Sequence, residues 1–180
     1  MQAVAPPLGR VLPAILHDRA GNAYGIREMD PADRETLTRF YECFEPKRAA
    51  QGLPPEGSFR IGRWLDNVLG GGTHLLVEAG EEMVGHAFMV PTGRPGVAEY
   101  AIFLDHGIRG RGVGTQVNRV AARVAAALGL HRLWLSVEPH NRAAVRSYEK
   151  IGFRFRPETI YSPEAEMELV LPDEESAPPL

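Results

Sequence analysis

The stretch Leu104-Asp105-His106-Gly107-Ile108-Arg109-Gly110-Arg111-Gly112-Val113-Gly114 carries an apolar strand into an Arg/Gly turn and on into a helix. Glycines at 110, 112 and 114 let the backbone curl tightly and bring several N–H groups to one point without Cβ clashes. The helix that follows aims the positive end of its dipole at that point, so the turn is suited to hold phosphate. The charge pattern agrees. No Asp or Glu occurs from His106 to Val137, whereas Arg109, Arg111, Arg119, Arg123 and Arg132 all fall there. In a chain of net charge −3 this is the one long segment of a single sign, and it predicts an anionic ligand.

The elements around this turn follow from periodicity and punctuation. Val97–Asp105 leads in as a strand. Val113 to Leu128 follows as a helix with Val113, Val117, Val120, Val124 and Leu128 on one face and Gly129 as its stop. His131–Val137 is a buried strand, Asn141 opens another helix, and Gly152 closes it. Upstream, Thr73–Glu78 and Met83–Val90 are strands joined by the turn Ala79-Gly80-Glu81-Glu82. Before them Asp30 caps a helix with Pro31 at its first position, Leu37, Phe40, Tyr41 and Phe44 on one face, and Pro46 at its end. A Gly/Pro loop from Gln51 to Ser58 then leads to a short helix, Phe59–Leu69, broken by Gly70-Gly71-Gly72. Pro13–His17 and Tyr24–Glu28 are short strands around the turn Asp18–Asn22, and Phe153–Arg156 and Glu166–Leu171 are the last two. The order predicts a mixed α/β sheet with helices packed on it. Residues 1–22 are expected as an arm or extra strand, 23–171 as the domain, and 172–180 as a disordered tail.

A chain of 180 residues fits one domain, which at this size buries roughly 70% of its unfolded surface and needs no staples. The pI near 6.1 argues against nucleic acid as a partner. Cys43 is the sole cysteine, so neither an intrachain disulfide nor a Cys-based zinc site forms. His74, His86, His106, His131 and His140 are scattered without ligand spacing, and no metal is expected. Met1 to Pro13 lacks the charged-then-apolar plan of a signal peptide, and no apolar run is long enough for a bilayer. The expected location is cytoplasmic, with no membrane partner.

Three phosphate-binding loops compete for the Arg/Gly turn. A dinucleotide fingerprint needs its third glycine one place later than Gly114 and an acidic residue about twenty positions on, and both are missing. A P-loop needs Gly-Lys, which occurs nowhere. The remaining pattern, Arg109-x-x-Gly112-x-Gly114 between strand and helix, resembles the pyrophosphate loop of the GNAT superfamily of acyl-CoA-dependent N-acetyltransferases. Asn141-Arg142-Ala143-Ala144-Val145-Arg146-Ser147-Tyr148-Glu149-Lys150-Ile151-Gly152-Phe153 resembles that superfamily's second signature: an Asn, a Tyr seven residues on, then Gly-Phe. The element order matches across roughly Ile26 to Leu171. The pair Ala98-Glu99, ten residues before the loop, is similar to bacterial protein-lysine acetyltransferase domains. His106 departs from the Pro often found at its position.

The resemblance implies a mostly antiparallel sheet flanked by helices and splayed between strands 4 and 5. It also implies acetyl transfer from acetyl-CoA to a primary amine, lysine-type or small-molecule, by direct attack in a ternary complex. An amine of pKa about 10.4 is mostly protonated at pH 7, so a base is required. Glu99 takes that role by resemblance, unless it is a solvated strand residue paired with an Arg. A Tyr148 phenol stays protonated at neutral pH and suits donation to the departing thiolate; its other reading is a core aromatic on the face Ala144, Val145, Tyr148, Ile151. Asn141 either caps its helix or bonds the pantetheine arm. By resemblance Phe103, Leu104 and Asp105 present backbone groups to pantetheine, and the N–H groups of Arg109, Gly110, Arg111, Gly112, Val113, Gly114 and Thr115 hold the pyrophosphate. The Arg109 and Arg111 side chains are further phosphate ligands or solvated. The acceptor side is expected from Phe40 to Leu69 and Arg156 to Ala165, with Phe40, Tyr41, Phe44, Phe59, Trp64 and Tyr161 beside Glu42, Glu45 and Asp66. A homodimer and a non-catalytic acyl-CoA sensor both remain open.

Overall fold

The computed structural model describes residues 8–45 and 54–172. Eight strands form one sheet: β1 (Ala14–His17), β2 (Ala23–Glu28), β3 (Thr73–Ala79), β4 (Glu82–Pro91), β5 (Val97–Leu104), β6 (Arg132–Val137), β7 (Arg154–Phe155) and β8 (Ala165–Val170). Their spatial order is β1-β2-β3-β4-β5-β6-β8-β7, antiparallel except for the β5–β6 pair. Four helices cover it: α1 (Arg34–Cys43), α2 (Ser58–Val68), α3 (Val113–Ala127) and α4 (Arg142–Glu149). The two parallel strands are bridged by α3, as a parallel crossover requires.

Side-chain alternation divides the interior into two layers. Leu75 and Val77 of β3, Ala87 and Met89 of β4, and Ala98 and Tyr100 of β5 pack against Val113, Val117, Val120 and Val124 of α3 and Tyr148 of α4. Leu76, Phe88 and Phe103 point the other way, against Leu37 and Tyr41 of α1 and Ile61 and Leu65 of α2. The central strands are buried on both faces, which is why they read as nearly continuous apolar runs. Among the described residues no helix is long and apolar enough to cross a membrane.

Two expected boundaries shift for local reasons. Asp30 and Pro31 open a 3-10 turn, Pro31–Asp33, rather than α1. The Asp30 side chain accepts from Ala32 N–H and the Asp33 side chain accepts from Asp30 N–H, closing a capping box before α1 begins at Arg34. Helix α1 then ends at Cys43, and Pro46 lies outside the described residues, as do 1–7 and 173–180. The expected strand Phe153–Arg156 shrinks to two residues because Pro157 starts another 3-10 turn.

The histidines that looked scattered are not all apart. His74 and His86 meet across β3 and β4 with stacked rings, His74 Nδ1 lying 3.1 Å from His86 Nε2. His86 Nδ1 is 2.6 Å from the Tyr41 hydroxyl, and His74 Nε2 is 3.1 Å from the Gly71 carbonyl. A carbonyl only accepts, so His74 Nε2 carries a proton. Every other proton in the relay is then fixed: Tyr41 O–H donates to His86, and His86 Nε2–H donates to His74. Burial holds both rings below the usual histidine pKa, His86 at about 3.

Candidate active site

Strand β5 pairs with β6 only through Val97–Glu99 against Arg132–Trp134, and beyond Glu99 the two part. The Asp105 N–H donates to Val84 O at 2.9 Å. Backbone alternation therefore turns the main-chain groups of Phe103 and Asp105 toward β4 and those of Ile102 and Leu104 into the gap. The gap widens into a cavity of about 620 Å³ whose walls include Glu99, Leu104, Gly112, Asn141 and Tyr148.

One end of this cavity is the Arg/Gly turn. Gly110 and Gly112 have φ of +73° and +94°, a region that strains any residue with a Cβ. A Cβ on Gly114 would stand 3.3 Å from Leu104 Cδ1, narrowing the passage between turn and strand. Helix α3 starts immediately after Gly112 with no side-chain cap and no acidic residue in its first turn. Its leading N–H groups and dipole face the cavity, a fit for a diphosphate.

Tyr148 and Glu99 stand on the same cavity from opposite layers of the sheet. Tyr148 is 8% exposed and packs on Phe153. Its hydroxyl makes no hydrogen bond among the described residues, and no buried side-chain oxygen there is orphaned, so the hydroxyl opens to the cavity. Burial pushes this phenol well above the ordinary tyrosine range and keeps it protonated. Glu99 alternates with Ala101 and Phe103 onto the α1–α2 side of the sheet. It has no Arg partner among the described residues, and partial desolvation raises its carboxyl.

Other expected ligands are placed differently. Phe103 packs its ring against Tyr41, Phe44 and Trp64, and its backbone faces β4. Asp105 spends its N–H on Val84 and its carboxylate on Gly107 N–H at 2.7 Å. Val113 is fully buried in the α3 layer. The 3-10 turn His106–Ile108 folds Arg109 back beside β5. There Nε donates to Leu104 O at 2.8 Å, Nη2 donates to Glu45 O at 2.6 Å, and the guanidinium lies 5.2 Å over Phe44. Arg109 is thus a clasp between the turn and the end of the α1 segment. Arg111 turns to an adjoining pocket, 3.7 Å from Asp18. Asn141 caps α4, its Oδ1 accepting from Ala144 N–H at 3.3 Å, which leaves its amide nitrogen for the cavity.

The acceptor-side aromatics are also sorted. Phe44 lines the cavity, Tyr41 and Trp64 pack edge to face in the core, and Phe59 and Tyr161 stand in solvent. Asp66 is paired with Arg34 at 2.8 Å. Tyr100, Asn118 and Ser147, which the sequence did not single out as ligands, complete the walls. Tyr100 O–H donates to buried Asn118 at 2.7 Å, Asn118 Nδ2 donates to Ser147 Oγ at 3.0 Å, and Ser147 lies 3.2 Å from Thr115 Oγ1. This chain ties α3 to α4 beneath the turn. Arg19 and Lys150 bring cations to the same mouth. The i, i+3 spacing of Thr115 and Asn118 on one helix was a usable signal; nothing local marked Arg19.

Residues 34–153 match the model of the Acetyltransferase (GNAT) family, and the chain belongs to that family. It is 25% identical over 146 residues to an L-methionine sulfoximine/L-methionine sulfone acetyltransferase of Pseudomonas aeruginosa, covering 78% of this chain and 71% of that protein. A mycothiol acetyltransferase of Mycobacteroides abscessus is 41% identical over 61 residues, covering 33% of this chain. In two such local matches the chain spans only 39% and 21% of the curated relative's length. The GNAT domain of S. lividans PAT superposes with a TM-score of 0.72 at 21% identity, over 88% of this chain and 97% of that one, a likeness of fold.

Proposed function

We propose that the protein transfers an acetyl group from acetyl-CoA to a primary amine held on the α1–α2 side of β5. One observation carries this reading: Glu99 and an unbonded Tyr148 hydroxyl share the walls of one cavity that ends at the uncapped α3 N-terminus. Acetyl-CoA, when bound, supplies the activated acyl group and a thiol leaving group. The N–H groups of Gly112 to Thr115 bind its diphosphate, and the Ile102 and Leu104 backbone in the gap orients the arm. The Asn141 amide nitrogen is a second contact for that arm.

Glu99 accepts the proton of the amine, directly or through one water. Its raised carboxyl makes it a better acceptor than an ordinary glutamate. Tyr148 holds a proton on its hydroxyl and donates it toward the departing sulfur; burial ensures that the proton is present. Arg109 holds Phe44 and the turn at fixed spacing, which sets the acceptor-side width of the cavity. The substrate named for the Pseudomonas relative favours a small amino-acid-like amine over a protein lysine.

The test is release of free thiol from acetyl-CoA in the presence of small amines, amino-acid analogues and lysine peptides. Product formation with one amine class supports the reading. Thermal stabilisation by acetyl-CoA without turnover on any amine would make the protein a sensor, and no stabilisation at millimolar acetyl-CoA would overturn the reading.

A further inference from the structure

The turn between β1 and β2 lies before the family-matched residues, yet it reaches the diphosphate turn. Asp18 builds it. Its fully buried carboxylate accepts from Ala20 N–H at 2.8 Å, Asn22 N–H at 2.9 Å, Asn22 Nδ2 at 2.8 Å and the Tyr24 hydroxyl at 3.2 Å. Two further ties fix the turn on α3. Arg19 N–H donates to Arg111 O at 3.1 Å, and the Gln116 side chain bonds both the N–H and the carbonyl of His17.

What this scaffold presents is a cation. The Arg19 side chain passes over Gly112, its Cγ and Nε 3.7 Å from where a Gly112 Cβ would stand. It enters no ion pair or side-chain hydrogen bond among the described residues. It lines the main cavity and also an adjoining pocket of about 280 Å³, shared with Arg111, Arg119 and Lys150. Asp18 is the one acidic residue on that pocket's wall, and its oxygens are already committed. Neither Glu99 nor Tyr148 reaches the pocket, so it lies beyond the turn from the reacting end.

Resting on the acetyl-CoA reading, we infer that this pocket takes the 3′-phosphate monoester of the coenzyme, with Arg19 as its principal ligand. A monoester carries about −1.5 to −2 charges near neutrality and three acceptor oxygens, and a planar guanidinium meets two of them at once. The diphosphate is served by main-chain N–H groups; the adjoining pocket offers side-chain cations instead, suited to a separate anion. The N-terminal hairpin therefore makes the enzyme select acetyl-CoA over acetyl-3′-dephospho-CoA.

Calorimetric titration of the full chain with both thioesters tests this. Wild type is expected to bind the dephospho form about 10- to 100-fold more weakly, the range for one charge-assisted phosphate contact. Arg19→Ala is expected to lose most of that gap by weakening acetyl-CoA alone, and Arg119→Ala, on the exposed flank of α3, to narrow it. Should Arg19→Ala disturb the fold, the wild-type comparison and Arg119→Ala still decide. Equal wild-type affinities overturn the assignment, as does an Arg19→Ala loss that is the same for both ligands. Failure of folded wild type to bind either form overturns the acetyl-CoA reading itself.

Discussion

Tyr148 is buried among apolar neighbours by its ring and open to the cavity at its oxygen. The ring accounts for the core-aromatic reading, and the open oxygen is the group on which the proposed proton donation rests. Tyr148→Phe keeps the packing and removes the oxygen. It is expected to lower kcat by about 10²-fold or more while acetyl-CoA affinity stays within about threefold, measured by stopped thiol release and by calorimetry. Equal losses in both would mark the oxygen as structural. Glu99 has the opposite character, a carboxyl on a strand without a countercharge among the described residues. Because its carboxyl is raised, kcat/KM of the wild type should fall on the acid side through a pKa above the ordinary 4.5. Glu99→Gln should slow turnover about 10²-fold and erase that acid limb, which a pH–rate profile measures.

At the scale of elements, the strand–turn–helix from β5 to α3 was legible because glycine spacing, valine periodicity and the missing acids are all local. The turn's chemistry depends on φ values that only glycine holds cheaply. Gly112→Ala places a Cβ at φ +94° and should cost about 1–2 kcal/mol of stability, read by denaturant unfolding, and at least about tenfold in acetyl-CoA affinity. The β1–β2 turn was legible as a turn but not as part of the site. Arg19 gains its meaning only from a contact with Arg111, more than ninety residues away, which no local pattern announces. Arg109 shows the same limit: the motif places it at the turn, and the structure adds contacts of its guanidinium with the Leu104 and Glu45 carbonyls and the Phe44 ring at the cavity wall.

The acid sensitivity of that turn is equally readable. Hydrogen bonds from Asn22, Ala20 and Tyr24 hold Asp18 at about 2, below its ordinary 3.8. A lowered carboxyl contributes stability above 3.8 that disappears as pH falls toward 2. The thermal midpoint of Asp18→Asn should therefore start lower at pH 7 than wild type and fall less between pH 4 and 2.

For the molecule as a whole, the sheet and its two layers follow from runs such as Thr73–Glu78 and Met83–Val90, whose burial on both faces left a signature in composition. Strand register left none. That is why His74 and His86, twelve residues apart, were read as unrelated, and why the acceptor-side aromatics divided between core and solvent only once α1 and α2 were docked.

The Tyr41–His86–His74–Gly71 relay is a queue in which every place is taken. Each ring has one proton and one lone pair, all oriented the same way, so an added proton finds two donors facing each other. The unfolded chain accepts that proton near pH 6.5 and the folded one does not, so mild acid works against the fold on the α1 side. In NMR titration the His86 imidazole signal should stay neutral from pH 8 to 5, and midpoints should already decline across that window. The same relay that joins helix to sheet thus ties the stability of that joint to pH.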